Sequence, residues 1–257
     1  MGVFFLRNLY NNNNLIETMK RLKILMLNFA YLTGYDGTIK DYLFKSFNYL
    51  GLRKEKKELI KRFNEMVKKE KPDLILLIEL KRRQIHYFLN KEYRFYDVES
   101  KYGKKSWLRK IPLIKNNCNA FISNRKIEFE RHFLTNGTKK LIYEVKLPNN
   151  IRVIMTHFSL NRIVRERQFN EIVELTKEDE HLVVCGDFNI FSGDEEIKEL
   201  NEKRKLKILP NSPTLPSFKP SKKLDLFLCS RKLDVKARVL SNVRISDHLP
   251  VVLEIKR

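Results

Sequence analysis

Short apolar runs that stop abruptly at a polar residue recur along this chain. Leu22–Leu27 runs into Asn28, Leu74–Ile78 into Glu79, Arg152–Met155 into Thr156 and His157, and Leu182–Val184 into Gly186, Asp187 and Asn189. Apolar runs of this length, bounded by turn formers, predict buried strands. Asn119–Ser123, Leu224–Cys229, Arg238–Val243 and Leu249–Ile255 read as further strands. Glu128–Leu134 and Lys140–Leu147 predict an antiparallel pair around Asn136-Gly137, a favourable hairpin dipeptide. Helical spacing appears in Arg53–Lys69, where Leu59, Ile60, Phe63, Met66 and Val67 share one face. A basic helix is predicted over Ile163–Lys177 and a short acidic one over Asp194–Lys203. Tyr31–Gly37 reads as a loop and residues 1–20 as a loose extension, in which Met19 is a candidate start.

The strand ends are where chemistry is expected. A carboxylate or amide ending a buried strand has an ordinary use as a turn former or a solvated rim. Buried, it must be hydrogen-bonded or bound to a cation. Asp187 and Asn189, side by side, can hold a water or an anionic oxygen. Asp225 lies inside an apolar run and needs a partner. Ser246-Asp247-His248 places an acid beside an imidazole where a strand begins. Each residue has an ordinary explanation, but converging strand ends are also how a rigid sheet builds a polar site.

Charge changes the picture. Lys and Arg number 52 against 31 for Asp and Glu, a formal net charge of +21. Such an excess attracts polyanions: nucleic acid first, an anionic lipid surface second. Lys81, Arg82 and Arg83 stand directly after Glu79 as candidate substrate contacts. Lys101–Lys115 mixes basic residues with Tyr102 and Trp107, which suits nucleic-acid backbones and unstacked bases, or simply a surface loop. The three cysteines, Cys118, Cys185 and Cys229, are far apart, which disfavours a zinc site of paired cysteines and suggests a reducing, cytoplasmic setting. No run is long enough to span a bilayer, and a monomer is expected.

With these residues in place, the chain resembles the endonuclease/exonuclease/phosphatase superfamily, which includes pancreatic-type deoxyribonucleases, abasic-site endonucleases, neutral sphingomyelinases and inositol polyphosphate phosphatases. The resemblance runs from about Lys23 to Ile255. It rests on Asn28 closing the first strand, Pro72–Glu79, Asn119-Ala120-Phe121-Ile122-Ser123, Thr156-His157, Gly186–Asn189, Leu224-Asp225-Leu226-Phe227, and Ser246-Asp247-His248 with Pro250. Departures are Ile78 where the family usually has Gln, Cys118 where it has Gly, and Ala30 where abasic-site enzymes carry Asp. These enzymes also have Tyr in place of His157, so a dedicated abasic-site enzyme is disfavoured. His157–Gln168 looks like a little-characterised prokaryotic branch of metal-dependent hydrolases.

The resemblance implies a four-layer α/β sandwich, with two mostly antiparallel β-sheets packed face to face, flanking helices, and the site at one edge. Residues 21–257 would form one catalytic domain. It implies phosphoester hydrolysis by direct attack of water, most directly on nucleic acid, with lipid head groups or small phosphates as the alternative. A non-catalytic binding protein is a third, weaker reading. Glu79, Asn28 and Asp247 would hold Mg²⁺, with Mn²⁺ as a substitute. Asp187 would orient or deprotonate the water, and Asn189 would hold a phosphoryl oxygen. Asp225 would orient His248, which would contact the phosphate or act as acid or base, and His157 would donate a hydrogen bond to the phosphate.

Overall fold

A computed structural model describes residues 21–34, 37, 53–177 and 181–256. The expected extension over residues 1–20 lies outside them. The apolar runs form strands, in chain order β1 (Arg21–Asn28), β2 (Leu74–Lys81), β3 (Phe95–Ser100), β4 (Asn117–Ser123), β5 (Glu128–Phe133), β6 (Leu141–Leu147), β7 (Ile151–His157), β8 (Leu182–Asp187), β9 (Leu206–Leu209), β10 (Asp225–Ser230), β11 (Val235–Val239) and β12 (Val251–Lys256). The helices are α1 (Arg53–Glu70), α2 (Arg162–Leu175) and α3 (Lys198–Arg204).

The strands make two six-stranded sheets, ordered β11-β12-β1-β2-β4-β3 and β5-β6-β7-β8-β10-β9. Within each, one central pair is parallel, β1 with β2 and β7 with β8, and the other pairs are antiparallel. The expected hairpin forms between β5 and β6. Alternate side chains of the inner faces, including Ile24, Met26, Leu76, Phe121, Tyr143, Val153, Met155, Phe227 and Leu253, pack into one core between the sheets. The opposite face of the first sheet packs on Leu59, Phe63, Met66 and Val67 of α1. The outer face of the second packs on Phe169 and Ile172 of α2 and Leu200 of α3. This is the expected four-layer sandwich.

Two expectations are shifted. The strand expected over Arg238–Val243 is Val235–Val239, followed by a turn in which Val243 N donates to Leu240 O. The acidic helix splits into a 3-10 turn over Asp194–Ile197 and α3. Strands β3 and β9 escape sequence reading, because one is half-exposed and polar and the other spans four residues at a sheet edge.

The architecture aims the parallel strand ends to one edge. Residues after the strand ends anchor them. Phe29 stacks on Phe88 at 4.9 Å and contacts Phe63 at 5.3 Å. Phe158 meets Phe169 at 4.7 Å and Phe188 at 4.8 Å. Asn28, His157 and Asp187 are therefore each followed by a buried aromatic locked on the helix side of its sheet. Such ring pairs are worth about 0.5–1.5 kcal/mol each beyond their burial. Gly186 lets β8 run close to β7: a Cβ there would lie 1.8 Å from Thr156 O, and its φ is +150°. Gly186→Ala is expected to destabilise the protein by about 3 kcal/mol or more, read by urea unfolding, because backbone must move to relieve the clash. Stability within about 0.5 kcal/mol of wild type would refute this packing.

Candidate active site

The site is built from the ends of strands in both sheets. β1 places Asn28, and register sets His157 of β7 beside Asp187 of β8 and Asp187 opposite Asp225 of β10. Asn28 Nδ2 donates to Asp187 Oδ2 at 3.1 Å across the sandwich, while Ala30 N donates to Asn28 Oδ1 at 3.1 Å. Asn189 N donates to Asp187 Oδ1 at 3.1 Å, and Asn189 Nδ2 to Phe158 O at 2.9 Å. The Asp187 carboxylate thus accepts from both sides. Burial, with Asp225 and Glu79 nearby, raises its pKa to about 6, against the opposing pull of His248 and Lys139.

His248 and Asp225 form the second part. His248 Nδ1 lies 2.7 Å from Asp225 Oδ2, which also accepts from Thr214 Oγ1 at 2.6 Å. Burial disfavours the imidazolium, but Asp225, Asp247 and Asp187 outweigh it and push its pKa up to about 10. His248 N donates to Ser246 Oγ at 3.0 Å, and Ser246 Oγ donates to Asn28 O, tying the closing motif to the first strand. Asp247 is buried beside it, and its carbonyl accepts from Ser217 N at 2.7 Å.

Glu79 is aimed by a bulge. The β2–β4 register shifts between Leu77 and Leu80, and Glu79 has φ +56°. Ala30, Tyr31 and Leu32 are also left-handed, a costly run for residues with a Cβ. That turn brings Tyr31 Oη to 3.1 Å from Glu79 Oε1. Lys101 Nζ donates to the same oxygen at 2.8 Å. Burial works against the Glu79 carboxylate, yet Lys101, His157 and Lys139 hold it well below the usual carboxylate range.

Sequence reading placed Lys101 only within the basic and aromatic stretch Lys101–Lys115, and missed Lys139. They arrive together: Tyr102 bridges Lys139 in antiparallel fashion, and Lys140 N donates to Lys101 O at 2.8 Å. One ammonium lands on Glu79 and the other on His157 Nε2. His157 Nε2 also lies 3.4 Å from Asp187 Oδ2, and Nδ1 lies 3.7 Å from Glu79 Oε1. Burial and Lys139 push the His157 pKa well down, so the ring is neutral. Burial and Lys101 lower Lys139 to about 8.

The flagged cations after Glu79 take other positions. Lys81 Nζ donates to Asn117 Oδ1 at 2.7 Å and Leu113 O at 2.6 Å. Arg82 donates to Val98 O at 2.8 Å and reaches Glu99 at 3.4 Å on the edge of β3. Arg83 is exposed. No motif marks Lys101 or Lys139. Their only sequence signal is a basic residue in each of two loops flanking strands, which many surface loops share.

The oxygen donors Glu79, Asn28 and Asp247 suit a hard divalent cation. Glu79 offers a free position: both its hydrogen bonds fall on Oε1, and Oε2 has no hydrogen-bond partner among the described residues. A separate acid–imidazole group, Glu130, His132 and Glu144, converges on the outer strands β5 and β6. There Glu144 is already paired with Arg152 at 2.7 Å and Glu130 faces Lys146 at 3.6 Å, away from the strand ends.

One edge of the two-sheet sandwich thus carries Glu79, an Asp187–Asn28 pair and a His248 hydrogen-bonded to Asp225. The model of the Endonuclease/Exonuclease/phosphatase family matches residues 46–248, and the chain belongs to that family. The family match places this edge in a metal-dependent phosphoester hydrolase. Among solved structures, an endonuclease/exonuclease/phosphatase from Beutenbergia cavernae DSM 12333 is similar at TM-score 0.64 and 16% identity, over 92% of this chain and 72% of that one. Staphylococcus aureus beta toxin aligns at TM-score 0.65 and 17% identity, over 90% and 99%. A humanized D. rerio TDP2 aligns at 0.61 and 14%, over 92% and 99%. No curated protein matches the chain in sequence. No helix among the described residues is long and apolar enough to cross a membrane.

Proposed function

We propose that residues 21–257 form one catalytic domain that hydrolyses phosphodiester bonds of nucleic acid, DNA most directly, with Mg²⁺ as cofactor and Mn²⁺ as its substitute. The observation that carries this reading is the placing of Asp225 opposite Asp187: Asp225 Oδ2 lies 2.7 Å from His248 Nδ1, and Asp187 Oδ2 accepts from Asn28 Nδ2 at 3.1 Å. Asp187, near 6, is a carboxylate at neutral pH, and His248, near 10, is an imidazolium. His248 is then the acid and Asp187 the base. Asp187 takes a proton from the attacking water as the new P–O bond forms. The old P–O bond breaks, and His248 gives its proton to the leaving oxygen.

Glu79, Asn28 and Asp247 would hold the metal, which when bound neutralises phosphate charge and the developing oxyanion. Asn189 steadies a phosphoryl oxygen. His157 would donate a hydrogen bond to the phosphate, and Lys139 beside it would add a cationic donor. Lys101 adds positive charge, and Lys81, Arg82 and Arg83 extend the basic rim toward β3. The net charge of +21 favours a polyanionic substrate. Three buried free cysteines suit the expected reducing, cytoplasmic setting, and a monomer is expected.

One observation favours lipid as a second reading. Leu160 and Ile163, just after His157, are 64% and 62% exposed, and Leu113, beside Lys81, is 61% exposed. Aliphatic side chains at the site rim suit an acyl surface better than bases. The test is cleavage of labelled single- and double-stranded DNA and RNA with Mg²⁺, Mn²⁺ or EDTA, across a salt series. Metal-dependent cleavage that falls at least ~10-fold between about 50 and 200 mM salt is expected. No nucleic-acid cleavage, with head-group release from phospholipid vesicles, would transfer the mechanism to lipid.

A further inference from the structure

The candidate metal carboxylate carries its own cation. Lys101 Nζ lies 2.8 Å from Glu79 Oε1, and only 5% of the Lys101 residue is exposed. The ammonium is fixed from several sides. It donates to Tyr31 Oη and lies 5.2 Å from the Tyr31 ring centroid and 5.9 Å from that of Tyr102. Its backbone is clamped by Lys140 N and Leu141 N, which both donate to Lys101 O. Lys139 adds a second ammonium on the neighbouring His157.

A carboxylate already neutralised by a buried ammonium attracts a divalent cation less than a free one does. Meanwhile two ammoniums side by side favour an anion. We infer that Lys101 weakens metal binding to the substrate-free protein and couples it to binding of a phosphate group, so that metal and phosphate enter together. The coupling is reciprocal by thermodynamic necessity: whatever phosphate does for the metal, the metal does for phosphate. This inference rests on the metal-dependent reading of Glu79.

The test needs no turnover. Mn²⁺ binding is measured by electron paramagnetic resonance, with and without inorganic phosphate as the probe. The proteins are wild type, Lys101→Gln, Lys101→Arg and Lys101→Met. Gln removes the charge but keeps a donor for Glu79 Oε1, Arg keeps both, and Met removes both. Circular dichroism checks that each variant is folded.

Lys101→Gln is expected to bind Mn²⁺ alone at least ~10-fold more tightly than wild type, from the loss of a nearby like charge. Phosphate should tighten Mn²⁺ binding several-fold in wild type and Lys101→Arg, and much less in Lys101→Gln. Mn²⁺ affinity in Lys101→Gln equal to or weaker than wild type overturns the inference, and shows Lys101 merely holds the carboxylate in place. Lys101→Met removes charge and donor together, so tighter binding in Lys101→Gln and Lys101→Met alike assigns the effect to the charge, and tighter binding in Lys101→Met alone assigns it to the lost hydrogen bond and overturns the inference. If neither wild type nor Lys101→Gln binds Mn²⁺ with or without phosphate, the metal reading itself fails, and the inference with it.

Discussion

Asp187→Asn is expected to lower phosphodiester turnover by on the order of a thousandfold while the protein still folds. The substitution keeps shape, and an amide oxygen can still accept from Asn189 N, now 3.1 Å from Asp187 Oδ1. What is lost is the proton acceptor. The second amide also faces Asn28 Nδ2, a donor now 3.1 Å from Asp187 Oδ2, at a cost of about 1–3 kcal/mol unless one group turns. Turnover and urea unfolding measured together separate the two effects. In wild type, Asp187 must be ionised to act, and its pKa is raised to about 6. Turnover should therefore climb as pH rises through about 6 and level off above it. A variant retaining more than about a tenth of wild-type turnover would remove Asp187 from the reaction.

The second large effect is expected at Asp225. Asp225→Asn removes the carboxylate 2.7 Å from His248 Nδ1, the main support of the imidazolium. The His248 pKa should fall from about 10 toward or below its ordinary value. An acid that must be protonated then titrates away at lower pH, so the alkaline limb of the pH–rate profile moves from about 10 toward neutrality. Turnover near pH 8 should drop on the order of 100-fold or more. Stability carries a matching signature. The folded pKa of His248 lies above its unfolded value of 6.5, so the stabilisation is fully present below 6.5 and is lost as pH rises through about 10. Urea unfolding should show the wild-type advantage over the variant shrinking across that window. An alkaline limb that does not move would mean that another group supplies the proton.

The fold and much of the site are legible in the sequence for one physical reason. A polar residue that ends an apolar strand is conspicuous, and Asn28, Glu79, His157 and Asp187 all stand there. Register sets His157 beside Asp187, sheet packing brings Asn28 to Asp187, and only the bulge that aims Glu79 goes unannounced in the sequence. Lys101, Lys139, Tyr31 and Thr214 leave no such mark. Their place depends on loop geometry: a left-handed turn for Tyr31 and an antiparallel bridge between two loops for the lysines. For Arg82 and Arg83, closeness in sequence does not give the placement. They follow Glu79 closely in sequence, but the bulge aims Glu79 into the site while a 3-10 turn over Arg82–Tyr87 carries Arg82 onto β3. Asp225 was legible as a buried acid in need of a partner, and His248 is that partner.

The most direct measurement is hydrolysis of bis-p-nitrophenyl phosphate, a diester with neither bases nor acyl chains, by wild type and Asp187→Asn in Mg²⁺ and then in EDTA. Wild type is expected to release p-nitrophenol in Mg²⁺, with release abolished by EDTA, restored by Mn²⁺, and absent in the folded variant. Equal release by wild type and Asp187→Asn, or release that survives EDTA, would contradict a metal-dependent site built on the strand ends.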